Sequence, residues 1–326
     1  MTSPKVLVTG GAGYVGSHTC KALAAAGFLP ISLDNLTRGH RHAVRWGPLE
    51  QGDVRDGDFL KAVLAAHRPA AVLHFAALAY PAESVTRPDL YFDNNVVGTL
   101  TLLQALHAAG ISRMIASSSC AVYGAAPTLP VSEDTPCLPI TAYGASKLMM
   151  EQMQAEFSRA FGLRRFALRY FNAAGADPSG ELGEDHDPEL HLIPNALRVA
   201  CGLRPHLDVH GEDYPTPDGT CIRDYLHVSD LADAHVAAMK ALLDGSPGGV
   251  LNLGTGTGHS VRQVAAIVST ITGRPVPLRV GPRRPGDPPA LVADATRAAR
   301  IGIAYPRSDM PTMIATAWAW MTRRQD

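Results

Sequence analysis

The feature that most constrains this chain is the run Thr9-Gly10-Gly11-Ala12-Gly13-Tyr14-Val15-Gly16, which follows the apolar Val6-Leu7-Val8 and opens a segment of helical period. Gly10, Gly13 and Gly16 sit three apart, between strand and helix. Residues without a Cβ let the chain turn tightly and bring backbone N–H groups at a helix N-terminus against a pyrophosphate. Ordinary turns are glycine-rich too, so the pattern needs context. Asp34 supplies it: the residue ends a second apolar run, 18 positions after Gly16, close to the roughly 20 expected of an acid that binds the adenosine ribose. A carboxylate there repels a 2′-phosphate and favours NAD over NADP, a preference that the following Arg38 and Arg41 soften.

Around this turn, short apolar runs alternate with longer helical patterns. Runs at 5–9, 28–34, 49–54, 70–76, 113–119 and 165–171 read as strands, and segments near 16–26, 56–66, 89–109 and 143–161 as helices. Gly27, Gly110 and Gly162 follow three of these helices, where a C-cap favours glycine. The alternation predicts an α/β fold with a doubly wound parallel sheet of Rossmann type. The texture changes after Asn172. Stretches 175–194 and 205–219, rich in Gly, Pro, Asp and His, read as loops over a smaller, mixed α/β unit. Helices near 231–243 and 261–272 flank a strand at 250–253, and a Pro/Arg-rich segment at 282–289 precedes the last helix. The expected division is 1–172 for the cofactor, with a returning segment near 224–254, and 173–326 for the substrate.

Composition removes several alternatives. The 326 residues carry 29 basic against 30 acidic side chains, a net charge of −1, so no global field draws the chain to nucleic acid or to a membrane. The basic run Arg38–Arg45 lacks interleaved aromatics and reads as a solvated face near the adenosine. Cys20, Cys120, Cys137, Cys201 and Cys221 are odd in number and scattered, as expected of reduced thiols. The strand run begins at once, which argues against a signal peptide, and the longest later apolar stretch, 70–80, is about half a membrane span. A cytoplasmic protein is expected. Asp185-His186-Asp187 with His191 could suggest a metal, but the run has no standard ligand spacing and lies in a Pro/Gly loop. It reads as solvated, and no metal is assigned.

Two further motifs carry chemistry. Tyr143-Gly-Ala-Ser-Lys147 puts a phenol and an ammonium four residues apart at a helix start, on one face. A tyrosine near pKa 10 needs a downshift of roughly three units, about 4 kcal/mol, to act as a base at neutral pH. A cation such as Lys147, with the positive nicotinamide, can supply it. Ser117-Ser118-Ser119 ends a predicted strand at the sheet's carboxyl edge, where ligands of open α/β sheets bind. A hydroxyl there can pass a proton between substrate oxygen and Tyr143, or orient the substrate.

Together with Arg169-Tyr-Phe-Asn172 and the segment from Asp213 through Arg223 to Tyr225, these motifs resemble the extended short-chain dehydrogenases/reductases, and more narrowly the UDP-glucose (UDP-galactose) 4-epimerases. The likeness runs from Lys5 to the final helix. It implies NAD that oxidises the sugar at C4 and returns the hydride to the other face of a transient 4-keto sugar. Tyr143 would be the acid/base, Lys147 its tuner and a ribose ligand, and Ser119 the partner at O4. Gly10, Gly13, Tyr14, Val15, Gly16, Asp34, Asn35, Asp53, Val54, Phe75, Ala76, Asn94, Ser117 and Phe171 would line the cofactor. Asn172, His191, Leu192, His210, Arg223, Arg284, Asp287 and Leu291 would hold the UDP-sugar, and a homodimer would form on the helices at 89–109 and 143–161.

The chain departs from the pattern at several places. Ala79 stands where many members have a lysine on the cofactor, Ala121 where some have threonine, His210 where a phenylalanine often lies near the uracil, and His191 where asparagine is common. Leu291, intermediate in size, leaves the preferred sugar open. A UDP-xylose/UDP-arabinose 4-epimerase shares the chemistry and stays open, as does a non-catalytic NAD-binding sensor, although sensors typically lose the Tyr/Lys pair retained here. A 4,6-dehydratase would need an acid pair where this chain has Ser119-Cys120.

Overall fold

The computed structural model describes residues 3–284 and 286–323; Met1 and Thr2 of the N-terminal run, Pro285 of the Pro/Arg-rich segment and residues 324–326 lie outside them. Seven strands form an all-parallel sheet: β1 (Lys5–Thr9), β2 (Leu29–Asp34), β3 (Leu49–Gln51), β4 (Ala71–His74), β5 (Arg113–Ser119), β6 (Arg164–Tyr170) and the strand Gly248–Leu253. Their order is Gly248–Leu253, β6, β5, β4, β1, β2, β3. The central strands are continuously apolar because both faces are covered. Val6 and Val8 of β1 pack with Leu73, Ile115 and Leu168 under the helix Val228–Leu243. On the other face Leu7, Ile31 and Met114 pack under the helices Gly57–His67 and Gly98–Ala108. Each such core side chain contributes about 1.5–3 kcal/mol by burial.

The sequence runs outward from β1 in both directions, since β1 pairs with β2 on one side and β4 on the other. That reversal opens a crevice at the carboxyl edge of the sheet, the position at which doubly wound folds take their ligands.

A smaller unit stands over this edge. Ile222–His227 pairs with Gly258–Ser260, Ala290–Leu291 and Asn172–Ala174, and Leu207–His210 pairs with Leu278–Gly281. Its core lies among the helices Leu192–Ala200, Val261–Thr272 and Met310–Arg323, around Ile193, Leu197, Val264, Val268 and Met313. Among the described residues no helix is long and apolar enough to cross a membrane, and all five cysteines are free thiols.

Three local differences from expectation have physical causes. The helix Leu192–Ala200 starts inside a stretch read as loop, because its apolar face repeats over only a few turns. The expected helix at 89–109 is interrupted by a wider π turn at Phe92–Val97, which carries Asn95. Asn95 accepts from the Leu78 N–H at 2.8 Å and donates to the Leu78 carbonyl and to Ser146 Oγ, both at 3.0 Å, so the wide turn serves a buried amide. Finally, the 222–227 strand was invisible, being polar at both Arg223 and Asp224.

Asp224 ties the two units together. It is fully buried and accepts hydrogen bonds from the N–H and hydroxyl of Thr255 at 2.9 and 2.7 Å, from the Gly256 N–H at 2.9 Å and from the Ala293 N–H at 3.1 Å. Asp224→Ala leaves the buried Ala293 N–H and the partly covered Thr255 and Gly256 donors without their acceptor and is expected to cost about 1–3 kcal/mol. Urea unfolding of the variant checks this; a loss under about 1 kcal/mol would show that the carboxylate is not the fastener.

Candidate active site

The glycine turn builds a cradle of backbone alone. Gly10 takes a φ of +72°, and a Cβ on it would stand 2.7 Å from the Ala76 nitrogen. A Cβ on Gly16 would lie 2.1 Å from the Gly10 carbonyl oxygen, so only glycine lets the helix Tyr14–Ala25 start this close to the end of β1. Gly13 caps that helix with no side-chain bond, and its first turn holds no acid. The N–H groups therefore face an anion without a competing carboxylate. Asp34, at the tip of β2, is buried. Its two oxygens accept from the Ala12 and Leu36 N–H groups at 3.0 and 2.8 Å, and burial raises its carboxyl above the usual range. A bare cradle, an uncapped helix end and an acid one strand away fit NAD.

Other residues expected at the cofactor occupy varied settings. Tyr14 donates through its hydroxyl to the Gly175 carbonyl at 2.6 Å, and Val15 packs against the main core. Asn35 donates to Asp53 at 3.0 Å, and the Arg55 guanidinium holds the Asp53 carboxyl well below the usual range. Val54 is buried beneath Gly98. The Phe75 and Ala76 N–H groups donate to the Thr9 carbonyl at 2.9 and 3.1 Å, and Asn94 donates to Asn95 at 3.0 Å. Phe171 and Leu291, expected at different ligands, share one buried cluster with Cys120 and Tyr123.

Thr141 caps the helix Ala142–Phe161 by accepting from the Gly144 N–H at 3.1 Å, which sets Tyr143 in the first turn at the mouth of the crevice. Tyr143 is 7% exposed and meets Tyr91 edge-on, ring centroids 6.3 Å apart. Ser119, the last residue of β5, accepts from the Ala121 N–H at 3.1 Å, and its hydroxyl lies close enough to the Tyr143 phenol to pull the phenol's pKa down against the larger effect of burial. Lys147 is 2% exposed and donates to the Ser117 carbonyl at 2.9 Å. Ser119, Tyr143 and Lys147 thus lie at one end of the sheet, with Lys147 Nζ 6.0 Å from the Tyr143 ring centroid.

Their charges do not behave as expected. Burial pushes the Lys147 ammonium down to about 7, against the pull of Glu151. Burial likewise raises the Tyr143 phenol, with Tyr170 adding to the effect. Lys147 Nζ lies 6.0 Å from the Tyr143 ring centroid and is committed to a carbonyl. In the chain by itself desolvation outweighs the cation, so Lys147 alone does not make Tyr143 a base.

Sequence reasoning missed the residues behind the site. Glu151 and Arg169 form a buried, two-pronged ion pair at 2.9 and 2.7 Å, and the Ser118 hydroxyl donates to the same Glu151. Arg169 also donates to the Tyr123 hydroxyl at 2.9 Å, which donates to Asn252 at 2.7 Å. One signal was available: Tyr143, Lys147 and Glu151 recur every four residues, a polar stripe on an inward helix face. His74, bridging Thr9 and Thr99 at 2.7 and 2.9 Å, is held neutral by burial, which lowers its imidazole to about 3.

On the substrate side, Arg223 donates to Asp287 at 3.0 Å, Leu291 is its partner on the neighbouring strand, and Asn172 donates to the Asp224 carbonyl at 3.0 Å. His210 ends its strand, its imidazole pushed down by burial and by the exposed Arg284. Leu192 opens the helix that His191 precedes.

The loop around His186 contradicts its expected solvation. The Glu184 and Glu189 side chains are 7% and 5% exposed. Burial opposes charge on the two rings, but the carboxylates outweigh it and raise His186 to about 9 and His191 to about 10. The two carboxylates are covered because imidazoles of opposite charge lie against them, while His191 itself stays partly exposed.

With this geometry in view, the description "NAD dependent epimerase/dehydratase family" matches residues 6–254. The chain belongs to that family. The Rhizobium leguminosarum bv. trifolii UDP-glucose 4-epimerase is 49% identical over 320 residues, covering 98% of each chain. The Brucella ovis UDP-glucose 4-epimerase, solved in complex with NAD, superposes with a TM-score of 0.95 at 50% identity, over 97% of this chain and 98% of that one. The Stenotrophomonas maltophila enzyme of the same name, solved with NAD and formylated UDP-arabinopyranose, gives 0.95 at 40% identity over 99% of each.

Because folding drives the Lys147 pKa below its unfolded value near 10.5, the protein binds fewer protons folded than unfolded between about 7 and 10.5, and stability rises with pH across that window. Lys147→Met removes the desolvation cost. In the cofactor-free protein it is expected to gain about 1–4 kcal/mol at pH 7, a gain that shrinks toward pH 10, while turnover collapses. Thermal unfolding across pH checks the first half and an activity assay the second.

Proposed function

We propose that the chain interconverts UDP-galactose and UDP-glucose by NAD-dependent epimerisation at C4. The observation that carries this reading is the convergence of Ser119, Tyr143 and Lys147 at the crevice where the glycine cradle ends, opposite Arg223 and Asp287. In this reading residues 1–172, with the return near 224–254, hold the cofactor, and 173–326 hold the nucleotide sugar.

Held by the glycine cradle and Asp34, NAD would supply hydride exchange at C4 and the positive charge that offsets the burial of the Tyr143 phenol. The chain does the rest. Tyr143 takes the C4 hydroxyl proton and gives it back, and Ser119 keeps that hydroxyl aligned with the phenol. Lys147 binds the cofactor ribose while its backbone partner, the Ser117 carbonyl, fixes its direction. Arg223 and Arg284 hold the diphosphate, for which the guanidinium fork is suited. Asn172, Leu192, His210 and Leu291 position the nucleotide, leaving the 4-keto sugar to turn over between oxidation and reduction. His191 faces Tyr80 at 6.1 Å between ring centroids rather than the Arg223 strand.

A UDP-pentose 4-epimerase is the second reading, favoured by the arabinopyranose ligand of the Stenotrophomonas neighbour. Purified protein is incubated with UDP-galactose and, separately, UDP-arabinopyranose without added cofactor, and the anomeric protons are followed by NMR. Formation of UDP-glucose is expected. Conversion of the pentose alone would move the assignment, and conversion of neither, even with NAD supplied, would leave a cofactor-binding sensor.

Tyr143→Phe is expected to retain NAD and to lose about 10²–10⁴-fold in turnover. Measured NAD content and single-turnover rates check both halves; near-wild-type turnover would remove Tyr143 as the base.

The reading includes a cytoplasmic homodimer. Phe92, Val97 and Leu100 stand exposed beside Met149 and Phe161 on the Ala142–Phe161 helix, an apolar face that a second copy would cover. Light scattering at micromolar concentration is expected to give a dimer, and Leu100→Glu with Met149→Glu a monomer. A monomeric wild type would refute this interface.

A further inference from the structure

We propose that Glu184, His186, Glu189 and His191 form a closed site for one divalent transition-metal ion of zinc type. Each residue offers one donor atom, and the four atoms lie within 4.8 Å of one another. His191 Nδ1 is 2.6 Å from Glu184 Oε1 and 3.1 Å from Glu189 Oε1. His186 Nδ1 is 3.1 Å from Glu184 Oε1 and 3.8 Å from Glu189 Oε2. Zinc bonds of about 2.0–2.2 Å to nitrogen and oxygen imply tetrahedral edges of about 3.3–3.6 Å. The observed separations, from 2.6 to 3.8 Å, lie on both sides of that range and engage Glu189 through both of its oxygens, so the ion requires the carboxylates to draw back from the rings and Glu189 to present a single oxygen. Two imidazoles with two carboxylates suit zinc and its neighbours rather than calcium or magnesium, which take oxygen alone.

The surroundings are those of a built site. The Glu189 carboxylate is oriented by the His191 backbone N–H at 2.8 Å. Asn195 donates to the carbonyls of both Glu189 and His191, at 3.1 and 2.9 Å, and is itself held by Arg204 at 2.6 Å. Such outer partners fix ligand direction before the ion arrives. Tyr14 and Tyr80 wall the cluster, each with its ring centroid 6.0 Å from that of His186. Four protein donors leave no open position, so the ion is structural and not catalytic. Its place explains its use: the loop 184–191 lies against Tyr14 of the glycine cradle and leads directly into Leu192, so an ion that gathers its four side chains would fix the shape of this loop beside the cleft.

The competing state is a pair of imidazolium–carboxylate couples with no ion, and the two make opposite predictions. Untagged holoprotein, carrying its NAD, is dialysed against chelator, returned to metal-free buffer and titrated with Zn²⁺ by calorimetry. A parallel titration with Co²⁺ reads coordination from its visible bands. One tight equivalent per chain is expected, with the intense spectrum of tetrahedral cobalt, proton release on binding and a rise in melting temperature. Glu184→Gln and His186→Gln, each checked for folding by circular dichroism, are expected to weaken binding by at least tenfold. Absence of saturable binding, octahedral cobalt bands, or unchanged affinity in both variants would overturn the site.

Discussion

Everything in this molecule hangs on the contact between Gly16 and the carbonyl of Gly10. With a Cβ barred at 2.1 Å, the first helix can begin only where it does, directly over the end of β1. That placement aims a helix N-terminus, with no acid in its own first turn, into the crevice between β1 and β4. The second strand then delivers Asp34, and β5 delivers its serines, to the same edge. The parallel sheet is what allows one contact to govern so much. Its strands all end on one side, so each βα connection contributes to one site.

Burial decides the electrostatics of that site. Lys147, Tyr143 and His74 all sit where desolvation dominates, and each is driven toward its neutral form. The chain spends its charge in the second row, where Glu151 and Arg169 satisfy one another and anchor Ser118 and Tyr123. The result is a group of buried side chains held by hydrogen bonds from behind. In the proposed reaction bound NAD would supply the positive charge that offsets the burial of the Tyr143 phenol, which would tie its proton transfer to the oxidised cofactor.

Much of the fold was legible because the sheet is buried on both faces. Continuous apolar runs such as Val6–Val8 and Met114–Ala116 have no other use in a chain of this composition. Asp34 and the Tyr143/Lys147 pair stood out through spacing read together with the glycine turn and the serine-rich strand end. The smaller unit was legible as a mixed α/β region with a helix at 261–272, but its short strands were not, because they alternate polar and apolar residues that make interdomain bonds; Asp224 looks like any loop aspartate until its four donors are seen. The 184–191 loop misled for a related reason. Its charges suggested solvent, but opposite charges placed together bury one another. Composition reports the charge of a segment and is silent on its pairing.

Epimerisation of the proposed kind requires that hydride leave and return to the same sugar carbon without meeting solvent, on a cofactor held by the glycine cradle. UDP-galactose carrying deuterium at C4 tests it most directly. Turned over in ordinary water by protein given no added NAD, it is expected to yield UDP-glucose with the deuterium still at C4. Loss of the label to water would mean that the C4–H bond is broken as a proton, and the roles assigned to Tyr143 and the cradle would be wrong.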